Sequence, residues 1–277
     1  QEFIIAALAE DIGSGDHSTL ASIDAKVVGT AKLIVKEACI IAGIRIAKEV
    51  FLHLDKEAVF TAFHTDGEYL EVGTIAFTVK AKAQAILQAE RLVLNTMQRM
   101  SGIATLTHSY VEKIKNYSTT ILDTRKTTPL FRAFEKEAVL LGGAKNHRMG
   151  LYDMIMLKDN HIDYCGGIEK AIAAANNYLK EQQLQLPIEV ETRSLDDVKR
   201  VVKVGGVQRI MLDNFTPQEI EAALVLINKQ FETEASGGIN FDTIEAYAAT
   251  GVDFISVGAV IHHATSLDLS LKAVLHE

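Results

Sequence analysis

Residues 121–161 read ILDTRKTTPLFRAFEKEAVLLGGAKNHRMGLYDMIMLKDNH. The stretch opens with a short β-type run that ends in Asp123, Arg125 and Lys126. It closes with a second run, Met154–Leu157, that ends in Lys158, Asp159 and His161. Arg132, a Gly142-Gly143 break and the pair His147-Arg148 lie between them. These cations stand at the ends of apolar strand-like runs and not along one polar helix face, so a solvated charge run is the weaker reading. The chain as a whole carries a formal net charge of -8. Basic groups gathered against that overall sign predict a low-dielectric pocket for a strongly anionic ligand.

Outward from this stretch, the sequence after Thr119 repeats a strand-then-helix unit. Strand candidates are Thr120–Leu122, Met154–Leu157, Ile188–Val190, Arg209–Leu212, Phe231–Glu234 and Phe254–Val257. Amphipathic helical patterns follow most of them, at Gly167–Lys180, Leu195–Val204, Pro217–Asn228, Phe241–Ala249 and Ser266–Leu275. Such alternation is the pattern of parallel βα architecture, either an open doubly wound sheet or a closed barrel. The strand ends favour the barrel. Each finishes in polar residues or glycine, among them Glu191, Asp213, Ser236 and Gly258. A barrel gathers such ends on one face, whereas an open sheet concentrates its chemistry at one switch point. Six or seven strands are legible, so the expected (β/α) barrel is incomplete.

The front of the chain differs. An amphipathic helix over residues 1–9 is broken by EDIGSGDHST, and alternating strands follow between Val27 and Val79, with a helix near Ile44–Leu52. This predicts a small α/β sandwich-like domain over residues 1–104, with the barrel over 105–265 and a C-terminal helix over 266–277 that packs with the first domain. The longest helical signal, Lys82–Thr105, buries Ile86, Ala89, Val93, Met97 and Met100 and is expected to stop at Ser101-Gly102. Its polar line, Arg91, Asn95 and Gln98, reads by itself as solvated surface.

At 277 residues, 48% hydrophobic and with three prolines, the sequence describes an ordinary globular protein with material for a full core. Cys39 and Cys165 are isolated, which predicts neither disulfides nor a zinc site and fits a reducing, cytoplasmic setting. The apolar run near the start is short and carries acidic residues, so it is read neither as a membrane span nor as a signal peptide. The acidic balance weighs against nucleic acid as a partner. There is no P-loop, no strand-borne dinucleotide fingerprint and no nucleophile elbow.

The barrel mouth would then hold Arg125, Lys126, His147, Arg148 and Lys158 facing the carboxylates Glu191 and Asp213. Arginine and lysine neutralise carboxylate or phosphate oxygens. A carboxylate pair beside phosphates suits Mg²⁺, which keeps several of its waters. The turns Ala235-Ser236-Gly237-Gly238 and Ser256-Val257-Gly258-Ala259 are candidates for backbone phosphate binding after late strands. His262-His263 reads as a strand-to-helix turn, and His53, His64 and His108 as surface or structural residues.

The segments Glu10-Asp11 with Gly15-Asp16, AERLVLNTMQRMSGIAT, DTRKTTP, GGAKNHRMGLYDMIMLKDNH, IEVET, MLDNF, EASGGI and ISVGAVIH, in this order, closely resemble the quinolinate phosphoribosyltransferase family over nearly the whole chain. The resemblance implies a type II phosphoribosyltransferase barrel. The implied reaction passes the phosphoribosyl group of phosphoribosyl pyrophosphate to quinolinate, with loss of the 2-carboxylate as CO₂, giving nicotinate mononucleotide and pyrophosphate in NAD biosynthesis. It implies that Arg125, His147, Arg148 and Lys158 hold the two carboxylates of quinolinate. Lys126, Glu191, Asp213, Ser236, Gly237 and Gly258 would handle the donor, with Mg²⁺ on Glu191 and Asp213 directly or through water. Lys126, Lys158, Glu191 and Asp213 form its catalytic set. Arg91 is implied to reach the active site of a neighbouring subunit, so the protein would be at least a homodimer. Two departures, Leu130 and Ala144, stand where the family usually or often has glycine. Three other readings remain open: a sister phosphoribosyltransferase of the molybdenum-associated kind with another acceptor, a lyase using Lys158 as a Schiff base, and a non-catalytic binding protein.

Overall fold

In the computed structural model, which describes residues 1–274, alternating burial along the front of the chain makes strands and 3.6-residue periodicity makes the helices between them. The order is α1 (Glu2–Ile12), α2 (His17–Ser22), β1 (Val28–Val35), β2 (Cys39–Ile40), α3 (Ile44–Leu54), β3 (Val59–Ala62), β4 (Tyr69–Leu70), β5 (Ile75–Lys82) and α4 (Ala83–Lys113). There follow β6 (Thr120–Leu122), α5 (Arg132–Leu141), β7 (Ile155–Leu157), α6 (Asp159–Cys165), α7 (Ile168–Glu181), β8 (Ile188–Thr192) and α8 (Leu195–Val204). The chain continues through β9 (Arg209–Asp213), α9 (Pro217–Ile227), β10 (Glu232–Ser236), α10 (Ile244–Ala248), β11 (Phe254–Ser256), α11 (Ala259–His262) and β12 (Leu269–Ala273).

Two compact units result. One comprises residues 1–108, 133–142 and the described residues from 264 on; the other comprises 109–132 and 143–263. The first is built on an antiparallel sheet of order β12-β1-β5-β3. On β1, Ala31, Leu33 and Val35 are buried while their neighbours are not, and Leu33 pairs with Phe77 of β5. The rings of Phe77 and Phe60 lie 4.5 Å apart, and Phe51 of α3 meets each at 6.2 Å, which seats that helix on the sheet. Residues 133–142 belong to this unit through Phe134 against Phe3 (4.6 Å) and the pair Arg99–Glu135 (2.9 Å).

Two expectations are corrected here. The helix expected over 266–277 is instead the strand β12, whose Leu269 and Leu271 are buried while Ser270 between them is partly exposed; residues 275–277 lie outside the described residues. The spacing Leu267, Leu269, Leu271, Ala273 has period two, and the open edge of β1 selects it. Helix α4 also does not stop at Ser101-Gly102. It runs 31 residues to Lys113. A Cβ at position 102 would collide with the Thr265 carbonyl, so this glycine permits close packing within a helix and does not end one. Ser101 Oγ accepts the Ala42 N–H at 3.0 Å, a second packing duty in place of a cap.

The second unit is the barrel. Its strands run in the order β6-β11-β10-β9-β8-β7, all neighbours parallel, and a lone parallel bridge from Leu122 to Lys145 extends the sheet beyond β6. Six strands and a one-residue seventh agree with the incomplete barrel expected. Strand β8 is buried at every position, as an inner strand covered on both faces must be. Two of the helices outside are capped by their own sequence: Ser194 accepts the Asp197 N–H at α8, and Thr216 forms a capping box with Glu219 at α9. All strands of this unit point the same way, so their C-terminal residues meet at one end.

Candidate active site

The C-terminal ends of these strands line a cleft of about 800 Å³. Around it stand Arg125, Lys126, His147, Arg148, Lys158, Asp213, Ser236, Gly237 and Gly258, together with Asn214, Asn240, His262 and His263. Glu191 joins through Lys158, whose Nζ lies 3.3 Å from Glu191 Oε2. A larger cavity, about 1140 Å³, opens at the opposite ends of the same strands, against Ile188, Arg209 and Glu232. It contains none of the residues expected to carry chemistry, and in barrels the chemistry belongs to the C-terminal face.

The cation side is set by two loops. Asp123, buried just past β6, accepts the His147 N–H at 2.8 Å and so ties the loop carrying His147 and Arg148 to the loop carrying Arg125 and Lys126. Asp153 accepts the N–H groups of Met149 (2.6 Å) and Gly150 (2.9 Å), and Arg148 Nη1 donates to the Met154 carbonyl at 3.3 Å. Arg132 donates to Thr127 Oγ1 and to the Met149 carbonyl, so this arginine braces both loops and does not line the cleft. Burial and the neighbouring charge of Arg125 lower the Arg148 pKa. Two guanidiniums crowded in one half-buried cleft make a ready site for a carboxylate or phosphate.

The anion side lies across from it. Glu191 Oε1 faces the Asp159 N–H at 3.4 Å at the start of α6, while Oε2 faces Lys158. Asp213 is pushed above the usual aspartate range, chiefly by burial and next by the charge of Glu191; Lys158 and the Asn214 amide, 2.7 Å away, work against the shift. Two carboxylates that feel each other's charge present an all-oxygen donor set, which fits a hard cation such as Mg²⁺.

Backbone geometry shapes the third side. Asn214 takes φ 59 and Gly237 φ 97, and a Cβ on Gly237 would run into the Asn214 side chain. A Cβ on Gly258 would stand 3.0 Å from His262 Nε2 and 3.2 Å from Lys126 Cδ. The missing side chains at 237 and 258 let Asn214, and His262 with Lys126, pack directly against the backbone at the cleft.

One expected residue faces a different way. His147 lines the cleft, yet its Nε2 points inward to Glu189 (2.9 Å) and Glu234 (3.4 Å), both fully buried. Arg209 pairs with Glu234 at 2.9 Å behind them. Burial pulls the imidazole down, but hydrogen bonds to the two carboxylates and their charge outweigh it and raise the pKa to about 9. Glu189 is pushed up by burial and by Glu234, so this cluster retains a proton in addition to the Arg209 charge. Three of its ligand-type atoms lie within 4.8 Å of one another, but Arg209 and that proton already balance the two carboxylates, so a metal fits Glu191 and Asp213 better. Arg91 is exposed on α4 in the other unit and makes no hydrogen bond or ion pair among the described residues.

Sequence reasoning missed His262, read as a turn, and Glu189 and Arg209; it read Asn214 and Glu234 as polar strand ends at the barrel mouth but gave them no role. The signal for the buried residues was present: glutamates inside the apolar runs IEVET and FETEAS must find partners in a barrel core. Nothing in the spacing named those partners.

Comparison with known proteins agrees with this geometry. Residues 16–101 match the family described as quinolinate phosphoribosyl transferase, N-terminal domain, and residues 103–272 its C-terminal domain. The chain is 43% identical to a chloroplastic nicotinate-nucleotide pyrophosphorylase [carboxylating] of Oryza sativa, covering 96% of this chain and 75% of the relative. It is 41% identical to a probable nicotinate-nucleotide pyrophosphorylase [carboxylating] of Synechocystis, covering 96% and 90%. Among solved structures, the nicotinate-nucleotide pyrophosphorylase of Francisella tularensis superposes with a TM-score of 0.92 at 38% identity, covering 99% of this chain and 95% of that one.

Proposed function

The chain belongs to the quinolinate phosphoribosyltransferase family, and we propose that it transfers the phosphoribosyl group of phosphoribosyl pyrophosphate to quinolinate and releases CO₂ and pyrophosphate. The observation that carries this reading is the cleft itself, where crowded arginines stand opposite paired carboxylates at the strand ends. A dianionic aromatic acid and a polyphosphorylated sugar need both halves.

Arg125, Arg148 and Lys158 hold the two carboxylates of quinolinate, and His147 supports them from the cleft floor. Lys126, Ser236, Gly237 and Gly258 receive the phosphates of the donor through side-chain charge and backbone N–H groups. Glu191 and Asp213 would hold Mg²⁺, directly or through water, and the ion would neutralise the diphosphate as it leaves. The same carboxylates face the ribosyl centre, where positive charge develops as the ring nitrogen attacks. After transfer the positive ring nitrogen stabilises the electron pair that departing CO₂ leaves on ring carbon 2, and a proton from water takes the place of CO₂ there, so no protein nucleophile is needed. Lys158, an ammonium paired with Glu191, is poorly placed to act as a free amine in Schiff-base chemistry.

Arg91, exposed on α4, is read as a contribution to a neighbouring subunit's cleft, which makes the working protein at least a homodimer. No helix among the described residues is long and apolar enough to cross a membrane, and the isolated cysteines fit a cytoplasmic setting. The test is a coupled assay of CO₂ and pyrophosphate release from quinolinate, phosphoribosyl pyrophosphate and Mg²⁺, with nicotinate as control acceptor. Equal release of both products from quinolinate alone is expected. Silence with both acids would move the search to the sister transferases and other planar anionic acceptors.

A further inference from the structure

We propose that Lys158 is a placeholder for the divalent cation: its ammonium occupies Glu191, and a metal takes that carboxylate only after an anionic acceptor has drawn the lysine away. The proposal rests on the function proposed above for the identity of the acceptor, but not for the exclusion of metal.

The geometry separates what is fixed from what can move. Glu191 is nearly buried, its side chain 8% exposed, and Oε1 is tethered by the Asp159 N–H. The Lys158 backbone is fixed as well, because its N–H donates to His161 Nδ1 at 3.1 Å where α6 begins. The Lys158 side chain is 47% exposed and carries four rotatable carbons, so it is the partner that can leave. An ion bound to Glu191 Oε2 at the roughly 2.0–2.1 Å typical of Mg²⁺ would lie close against an ammonium 3.3 Å from that same oxygen, and two cations there repel each other. A competing attraction lies in the same cleft. Among the described residues Arg125 Nε is buried with no hydrogen-bond partner, and Arg148 shares the wall with it. A dicarboxylate docked on these arginines brings a second negative group into a cleft that Lys158 also lines. The ammonium can then exchange Glu191 for that group without ever losing an anionic partner.

The measurement is Mn²⁺ binding to the whole protein, read by electron paramagnetic resonance of free Mn²⁺, so that turnover is not required. Lys158→Met should bind Mn²⁺ about tenfold more tightly than wild type, since the competing charge is gone. Lys158→Arg, which keeps the charge, should bind as weakly as wild type. Lys126→Met removes a cleft cation that does not touch Glu191 and should gain much less. Quinolinate should tighten Mn²⁺ binding to wild type but leave Lys158→Met unchanged. Equal affinity in Lys158→Met and wild type, or an equal gain in Lys126→Met, would overturn the proposal. If quinolinate is turned over in the coupled assay and yet leaves wild-type Mn²⁺ affinity unchanged, release by the acceptor is overturned. If quinolinate fails in both experiments while Lys158→Met still gains, the acceptor assignment fails and metal exclusion by Lys158 stands.

Discussion

Leu130 is the side chain most at odds with its backbone. It is 96% exposed and adopts φ 63, a conformation that costs an L-residue roughly 1–2 kcal/mol and suits glycine. Glycine gives back part of that gain through a freer unfolded chain, about 0.5–1 kcal/mol. Leu130→Gly should therefore raise stability by about 0.5 kcal/mol, and Leu130→Val should lower it, as read by urea denaturation. His147 makes a prediction of the opposite kind, in pH. Its pKa is raised from 6.5 to about 9, so the stability it contributes is complete below 6.5 and is lost as pH rises through about 9. Unfolding free energy should fall over that window by on the order of 3 kcal/mol at most, and His147→Gln should flatten the slope. An unchanged slope in the variant would mean that other groups titrate there.

Helix α4 and strand β12 mark where local sequence stopped being sufficient. The barrel units were legible because most of the strands are short apolar runs followed by an amphipathic helical pattern, and the structure keeps strands at all six expected runs. The cations and carboxylates at their ends could be read for the same reason, since a strand's last residue is also a mouth residue. Gly102 and the leucines of β12 could not be read locally. Their roles depend on neighbours distant in sequence, Thr265 for the glycine and β1 for the leucines. The inward turn of His147 escaped likewise, because its partners lie on β8 and β10. Replacing Gly102 by alanine would ordinarily favour a helix by about 1 kcal/mol. Here the added methyl meets the Thr265 carbonyl, and Gly102→Ala should lower stability by roughly 1–3 kcal/mol in chemical denaturation.

Assembly of whole chains tests Arg91. If it serves a neighbour's cleft, Arg91→Ala and Lys158→Met should each be inactive alone, while an equimolar mixture, after subunit exchange, should regain about a quarter of wild-type sites in heterodimers. A mixture that stays inactive despite exchange would put Arg91 back on the surface. Strand β12 has a consequence for how the molecule is made. The sheet of the first unit has β1 hydrogen-bonded on one side to β5 and on the other to residues 269–273. During synthesis, β1 must wait for nearly the entire barrel to be translated before its second neighbour leaves the ribosome. The barrel, whose paired strands are close in sequence apart from the join of β6 to β11, is free to mature first. The portion of the chain made first is thus the last to be completed, and a nascent chain halted before residue 269 would carry a finished catalytic barrel beside a sheet with one raw edge.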